Sequence, residues 1–394
     1  MTIGLFSDTY PPDINGVATA THTLATELKK QGNTVYVITT NFKGSNKVDE
    51  IDNVIRIPGI AIKKFYSYRF SGFFSRQAYE ILKKIPFDVI HVQTEAGIGY
   101  FGRLFAKMEG IPLVYTYHTL YADFTYLIAK KNRGVDLILK KFVSAYSHRW
   151  GDSPDEFITT SDKTRDVLRT YGVKRYINVI PNGVDFSLFK RTAEKMERAK
   201  ALRHELGLDG RKVLLIVGRL GQEKGMDYVV SCLARYLANG GDQSVELVIA
   251  GDGPFKEELE KVIEKAGVAD YVKLVGKVAH QDIYAYYFMA DVLLSGSKSE
   301  TQGLTVNEAM ASRCLVLIRH DYNFDMIVKE GETGFFFRNS DTFATQLTKI
   351  LTLSAKEREA IRDEAQKANA DLYSVEKFGR EVTDVYRRAI RKCW

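Results

Sequence analysis

At 394 residues the chain is too long for one hydrophobic core and suits two domains of ordinary size. Hydrophobic residues at 45% and aromatic residues at 12% exclude a disordered chain, and no window approaches the ~20 apolar residues that span a bilayer. The net charge of +7 is uneven: residues 1–180 hold 24 Lys and Arg against 17 Asp and Glu, while residues 181–394 hold 32 against 32, so the first half suits a polyanionic partner.

Short β-branched runs predict strands at Thr2–Ser7, Thr34–Thr39, Val54–Ile57, Asp88–Val92, Pro112–Thr116 and Glu156–Thr159. A second series follows at Lys212–Val217, Val245–Ala250, Val272–Val275, Val292–Leu294 and Leu315–Ile318. Helix-length amphipathic segments separate these runs, and the runs themselves lack polar alternation. That combination indicates parallel strands buried on both faces, hence two doubly wound α/β domains. The expected domains are 1–180 and 181–373, divided at the Pro181–Asp185 turn, with 374–394 a terminal helix capped by Ser374. Cys232, Cys314 and Cys393 are scattered without a CxxC pair, as expected of reduced thiols. Thr2–Ser7 has no basic region before it, so no export signal is expected and the protein is soluble or rests on a membrane surface.

Ligands of doubly wound sheets bind beyond the carboxyl ends of the strands, so the loops there are the candidates. The first, Ser7 to Val17, ends in Asn15-Gly16, where a glycine opening a helix lets an anion approach the backbone. Asp13 or Asp8 there either positions an acceptor hydroxyl or serves as a turn and cap residue. His118 follows the strand Pro112–Thr116. In the second half, Gly218 to Gly225 carries Arg219 and Lys224 on a glycine-rich turn, two cations able to hold the phosphates of a leaving group as charge gathers there. Ala250-Gly251-Asp252-Gly253-Pro254 ends the next strand, either as a ligand loop or as a purely structural turn. Glu300-Thr301-Gln302-Gly303-Leu304-Thr305-Val306-Asn307-Glu308 sets two carboxylates around a helix start near Gly303, whose free N–H groups favour a diphosphate. Either Glu308 accepts two ribose hydroxyls with Glu300 facing the donor sugar, or the pair is a solvated acidic loop and an ordinary helical Glu.

Two stretches of the first half mix cations with aromatics. Residues 62–84 hold Lys63, Lys64, Arg69, Arg76, Lys83 and Lys84 against Glu80 alone, and Phe70, Phe73, Phe74, Ile81 and Leu82 would share one face if helical, with Gly72 interrupting it. Residues 121–150 combine Phe124, Tyr126, Leu127, Ile128 and Phe142 with Lys130, Lys131, Arg133, Lys140 and Lys141. Such a pattern describes an interfacial segment on an anionic leaflet, each cation adding ~1 kcal/mol, or else an ordinary helix with a basic outer face. Nucleic acid is not expected, since no RNP-like, finger or helix-turn-helix signature occurs. Docking is assigned to Lys63, Lys64, Phe70, Phe73, Phe74, Arg76, Lys83 and Lys84.

Together these residues resemble the retaining family 4 glycosyltransferases of the GT-B fold, two Rossmann-like domains facing across a cleft. The likeness spans essentially the whole chain. Within that family, Asp8-Thr-Tyr with Asn15-Gly-Val17, His91-x-x-Thr-Glu95 and His118-Thr-Leu-Tyr121 resemble the bacterial diacylglycerol glucosyltransferases. The resemblance implies catalytic roles for His118 (sugar contact), Arg219 and Lys224 (phosphate clamp) and Glu300 (donor sugar). It also implies substrate binding at Asp13, Asn15, Gly16, Gly251, Gly276, Val278, Thr301, Gly303, Leu304 and Glu308, with Gly276 to Val278 meeting the base. The N-terminal loop carries Asn15-Gly16 where the family commonly has two glycines. The implied reaction moves glucose from UDP-glucose to the hydroxyl of diacylglycerol at the cytosolic face of the cell membrane. Attack is expected from the front face, double displacement through Glu300 being the alternative. No tightly bound cofactor or metal is expected, Mg²⁺ being at most stimulatory. The competing expectations are a relative with another donor (UDP-galactose, GDP-mannose) or a phosphoinositide or polysaccharide acceptor, and an idle lipid- or nucleotide-binding scaffold.

Overall fold

Strand β1 (Thr2–Phe6) is buried almost throughout, as its unbroken apolar run requires of a central parallel strand. It pairs in parallel with β2 (Thr34–Thr40) on one side and, across the sheet, with β7 (Val89–Val92) on the other. The structure is a computed structural model and describes all residues except 14, 42–47, 63–67, 122–132, 299 and 394. It divides into two compact units, residues 1–183 with 375–394, and residues 184–374.

In the first unit the remaining strands are β3 (Asp49–Ile51), β4 (Val54–Ile57), β8 (Leu113–Tyr117), β9 (Glu156–Thr159) and β10 (Ile177–Val179). Among the described residues they form an eight-stranded sheet in the order β10-β9-β8-β7-β1-β2-β4-β3, parallel apart from the β3–β4 pair. Strands β5 (Ile60–Ile62) and β6 (Tyr68–Phe70) make a separate antiparallel hairpin. The continuous helical face expected across 70–82 does not form. Phe70 lies in β6, Gly72 turns the chain with φ 76°, and Ser75 starts a new helix, Arg76–Leu82, by accepting the Ala78 N–H.

The second unit holds β11 (Lys212–Val217), β12 (Val245–Ala250), β13 (Val272–Gly276), β14 (Val292–Ser295), β15 (Leu315–Arg319) and β16 (Phe335–Phe337), a parallel sheet ordered β13-β12-β11-β14-β15-β16. Apolar clusters cover both of its faces, one around Leu215, Leu293 and Val306, the other around Leu214, Leu247 and Leu294. The architecture is thus the expected pair of doubly wound α/β domains. The last helix, Val375–Cys393, buries Phe378, Val382, Val385, Tyr386 and Ala389 against Leu5, Leu24 and Leu28 of the first unit.

Candidate active site

In the second unit three loops meet at the carboxyl ends of adjacent strands. The Gly218 N–H donates to the Ala250 carbonyl (3.0 Å), and the Gly251 N–H to the Gly276 carbonyl (2.8 Å). A Cβ on Gly251 would fall 1.8 Å from the Gly218 carbonyl oxygen, so this close approach admits glycine alone. The turn Gln222–Lys224 carries Lys224 Nζ to 2.7 Å from Glu300 Oε1. Arg219 Nη2 lies 2.5 Å from Oε1 of Glu223, a half-buried residue whose side chain is 4% exposed. Both cations therefore lie against carboxylates, and both keep solvent contact.

Helix Leu304–Ala311 begins at Gly303, which is left-handed with φ 79° and lies against the Phe324 ring. Thr301 and Leu304 are half-buried at this start, and Val278 packs on the core behind the β13 loop. Glu308, one turn into the helix, is buried. Its Oε2 accepts from the Tyr287 hydroxyl (2.8 Å), and its Oε1 faces His280 Nε2 (3.3 Å). Burial lowers the His280 pKa, but the Glu308 hydrogen bond and the charges of Glu308 and Asp185 outweigh it and raise it overall. Asn323 Nδ2 donates to the Glu300 carbonyl (3.3 Å). The strand ends thus gather Arg219, Lys224, Glu300, Gly251, Gly276 and Glu308 on one edge of one sheet. Tyr287, His280 and Asn323 escaped the sequence reading. His280 stands four residues past Gly276 and was detectable; Tyr287 sits in an apolar helix and was not.

The first unit has its own cluster at the ends of β1, β7 and β8. Asp8 caps helix Gly97–Glu109: its Oδ1 accepts the Ile98 N–H (2.9 Å) and its Oδ2 the Thr94 hydroxyl (2.5 Å). Burial pushes its pKa up although these bonds pull it down. Asn15 caps helix Gly16–Lys30, its Oδ1 accepting from the Ala18 N–H (2.9 Å), with Gly16 exposed beside it. Asp13 is exposed and its charge acts on Arg56. His118 is buried, its Nε2 2.7 Å from Gln93 Oε1, and burial drives its pKa down to about 4. His91 bridges Tyr386 and Thr116 at 2.7 Å each, and its pKa falls to about 3 by burial and the neighbouring His118. Glu95 accepts from the hydroxyls of Tyr115 and Tyr121, and burial pushes its pKa up to about 7.

Of the docking residues, Phe73 and Phe74 are 56% and 46% exposed, Arg76, Lys83 and Lys84 are exposed, and Phe70 is half-buried. Lys63 and Lys64 lie outside the described residues, as do Phe124 to Lys131. Helix Arg133–Asp152 exposes Leu137, Ile138 and Phe142 at 62%, 69% and 66%. No helix among the described residues is long and apolar enough to cross a membrane.

A family model for Glycosyltransferase Family 4 matches residues 14–188, and one for Glycosyl transferases group 1 matches residues 199–368. The chain is 35% identical over 393 residues to an alpha-monoglucosyldiacylglycerol synthase of Streptococcus pneumoniae, covering 99% of this chain and 86% of that protein. A protein of the same name from Acholeplasma laidlawii is 32% identical over 354 residues, covering 89% and 88%. Among solved structures, Anabaena HepE in complex with UDP and glucose superposes with a TM-score of 0.75 at 18% identity, over 98% of this chain and 99% of that one. The sucrose-phosphate synthase of Thermosynechococcus elongatus gives 0.76 at 20% identity, over 99% of both. The fold is GT-B, and the chain belongs to the family 4 glycosyltransferases.

Proposed function

We propose that this chain transfers glucose from UDP-glucose to the free hydroxyl of diacylglycerol, with retention at the anomeric carbon, as a peripheral enzyme on the cytosolic face of the cell membrane. One observation carries this reading: near-full-length identity of 35% to a protein named for making α-monoglucosyldiacylglycerol. The strand-end residues of the second unit support the donor half. Glu308 accepts the ribose hydroxyls from a carboxylate already oriented by Tyr287. The base lies along Gly276 to Val278, and Gly251, Thr301, Gly303 and Leu304 approach the phosphates and sugar. Arg219 and Lys224 take the diphosphate, exchanging a carboxylate partner for phosphate oxygens. Their charge counts most as the glycosidic bond breaks and the leaving phosphate turns more negative. Glu300 holds the donor sugar, and in the first unit His118, Asp13, Asn15 and Gly16 are sugar- or acceptor-binding residues.

The reaction is front-face attack: the acceptor oxygen bonds to the anomeric carbon as UDP departs, and the leaving phosphate oxygen takes the acceptor proton. Two fixed cations meet the phosphate charge, so the protein holds no resident metal, and turnover persists in EDTA. Docking uses Phe70, Phe73, Phe74, Arg76, Lys63, Lys64, Lys83 and Lys84 together with the exposed face of helix Arg133–Asp152.

The test offers UDP-glucose, UDP-galactose and GDP-mannose in turn, with diacylglycerol in vesicles of neutral or anionic lipid. An α-glucosyl lipid from UDP-glucose, formed faster on anionic vesicles, is expected. Hydrolysis of UDP-glucose without glycolipid would remove the acceptor assignment, and inactivity with UDP-glucose would remove the donor. Reversing the charges of Lys63, Lys64, Lys83 and Lys84 should abolish vesicle binding and spare transfer to a soluble acceptor. Vesicle binding that survives the reversal would move docking elsewhere.

A further inference from the structure

Gln93 follows β7, and its backbone is fixed in the sheet by donation to the Phe6 carbonyl (2.8 Å). The residue is 2% exposed, Oε1 lies 2.7 Å from His118 Nε2, and its amide nitrogen has no hydrogen-bond partner among the described residues. A buried amide that leaves a donor unpaired is uncommon, because the unmade bond destabilises the fold. Here the one bond it makes goes to a histidine assigned to the reaction. As placed, the amide oxygen faces the ring and accepts from Nε2–H; turned end for end, the amide would donate to Nε2 and fix the opposite tautomer, so the orientation of Gln93 sets which ring nitrogen carries the proton.

A neutral imidazole carries one N–H and one lone pair, and the partner of one nitrogen decides which is which. Burial keeps His118 neutral near pH 7. The other titratable groups of this cluster have partners of their own. Glu95 binds Tyr115 and Tyr121, Asp8 binds Thr94 and the Ile98 N–H, and His91 binds Tyr386 and Thr116. Among the described residues, Gln93 is the side chain that hydrogen-bonds the His118 ring.

We propose that Gln93 is a positioning residue that holds His118 as its Nε2–H tautomer, so that the Nδ1 lone pair is the atom offered to a substrate hydroxyl. The hydroxyl donates to Nδ1 and no proton leaves the ring, so the histidine orients the sugar or acceptor and does not act as an acid. The inference rests on the reading of His118 as a sugar contact and adds the residue that sets its polarity.

The test combines nitrogen-15 NMR of the full-length chain with kinetics. At pH 7 the His118 signals, identified by their loss in His118→Ala, should be pyrrole-like for Nε2 and pyridine-like for Nδ1. Gln93→Leu should lower kcat roughly 10- to 100-fold with a much smaller change in donor KM, as expected when a contact is misoriented. Its melting temperature should barely move, because one unpaired buried atom replaces another. Gln93→Glu keeps an acceptor beside Nε2 and should recover much of the rate at alkaline pH. At acid pH that variant should lose activity through a raised His118 ionisation that the parent lacks. An Nδ1–H tautomer in the parent, or a Gln93→Leu rate within twofold of the parent's, would overturn the proposal. Full activity in His118→Ala would instead remove the sugar-contact reading, whatever tautomer the spectra report.

Discussion

Lys224 and Glu300 stand 2.7 Å apart, each partly shielded from water, so removing either leaves the other without its partner. Lys224→Met should lower kcat by about 10²- to 10³-fold, the scale of losing one preorganised charge at a developing anion, with a smaller effect on the KM for UDP-glucose. Steady-state kinetics with a soluble acceptor would decide it; a raised KM at unchanged kcat would show that the lysine binds the ground state only. These cations and carboxylates were legible in the sequence because glycine-flanked charges at strand ends have few structural reasons to be there. Tyr287 and Asn323, which bond Glu308 and the Glu300 carbonyl, and Gln93, which bonds His118, were not legible, since each acts through a single contact formed by distant parts of the chain.

Glu95, which the sequence marks only as part of a motif, yields a pH prediction. Its carboxyl is buried, and its folded pKa of about 7 lies well above the ordinary 4.5. A raised carboxyl favours the folded state in acid, so this stability is fully present below pH 4.5 and lost as pH rises through 7, up to about 3 kcal/mol. His91 and His118 act in the opposite direction. Their pKa values, lowered to about 3 and about 4, withdraw stability as pH falls below 6.5. Glu95→Gln removes the contribution that opposes these histidines, so the melting temperature should climb more steeply from pH 5 to pH 8 than in the parent. Parallel melting curves across that range would contradict it.

At the scale of elements, parallel strands were the easiest part to read, because burial on both faces leaves unbroken apolar runs such as Val245–Ala250. Edge pieces were harder. The three-residue strands Ile177–Val179 and Phe335–Phe337 and the hairpin of Ile60–Ile62 with Tyr68–Phe70 are too short to show a period. Glycines decide where the functional loops start, and Gly303 is the sharpest case. Its φ of 79° and the Phe324 ring, 2.3 Å from where a Cβ would sit, both oppose a side chain. Gly303→Ala should therefore cost about 1–3 kcal/mol in stability and shift helix Leu304–Ala311 with Glu308. Weaker UDP binding by calorimetry beside a lower melting temperature is the expected pair of results. A melting temperature equal to the parent's would mean that the loop relaxes around the methyl group.

At the scale of the whole chain, the last helix belongs to the unit that begins the sequence, and this makes a prediction about truncation. Phe378, Val382, Val385 and Tyr386 are buried in the first unit, so deleting 375–394 would expose their partners Leu5, Leu24 and Leu28. At about 1.5–3 kcal/mol for each large side chain, four of them amount to roughly 6–12 kcal/mol, an upper bound comparable to the whole stability of a typical domain, about 5–15 kcal/mol. The deletion also takes the Tyr386 hydroxyl from buried His91, and Lys392 and Arg388 from buried Glu156. The second unit loses nothing comparable. Its cores lie within residues 184–374, and its two ends are tied by the Val184 N–H donating to the Tyr373 carbonyl (2.7 Å). A chain of residues 1–374 should therefore show one cooperative melting transition, belonging to residues 184–374 and raised by added UDP, with the first unit unfolded throughout. Residues 184–374 alone should melt at the same temperature. Two transitions in the truncated chain at the full-length temperatures would mean that the sheet of the first unit holds without its terminal helix.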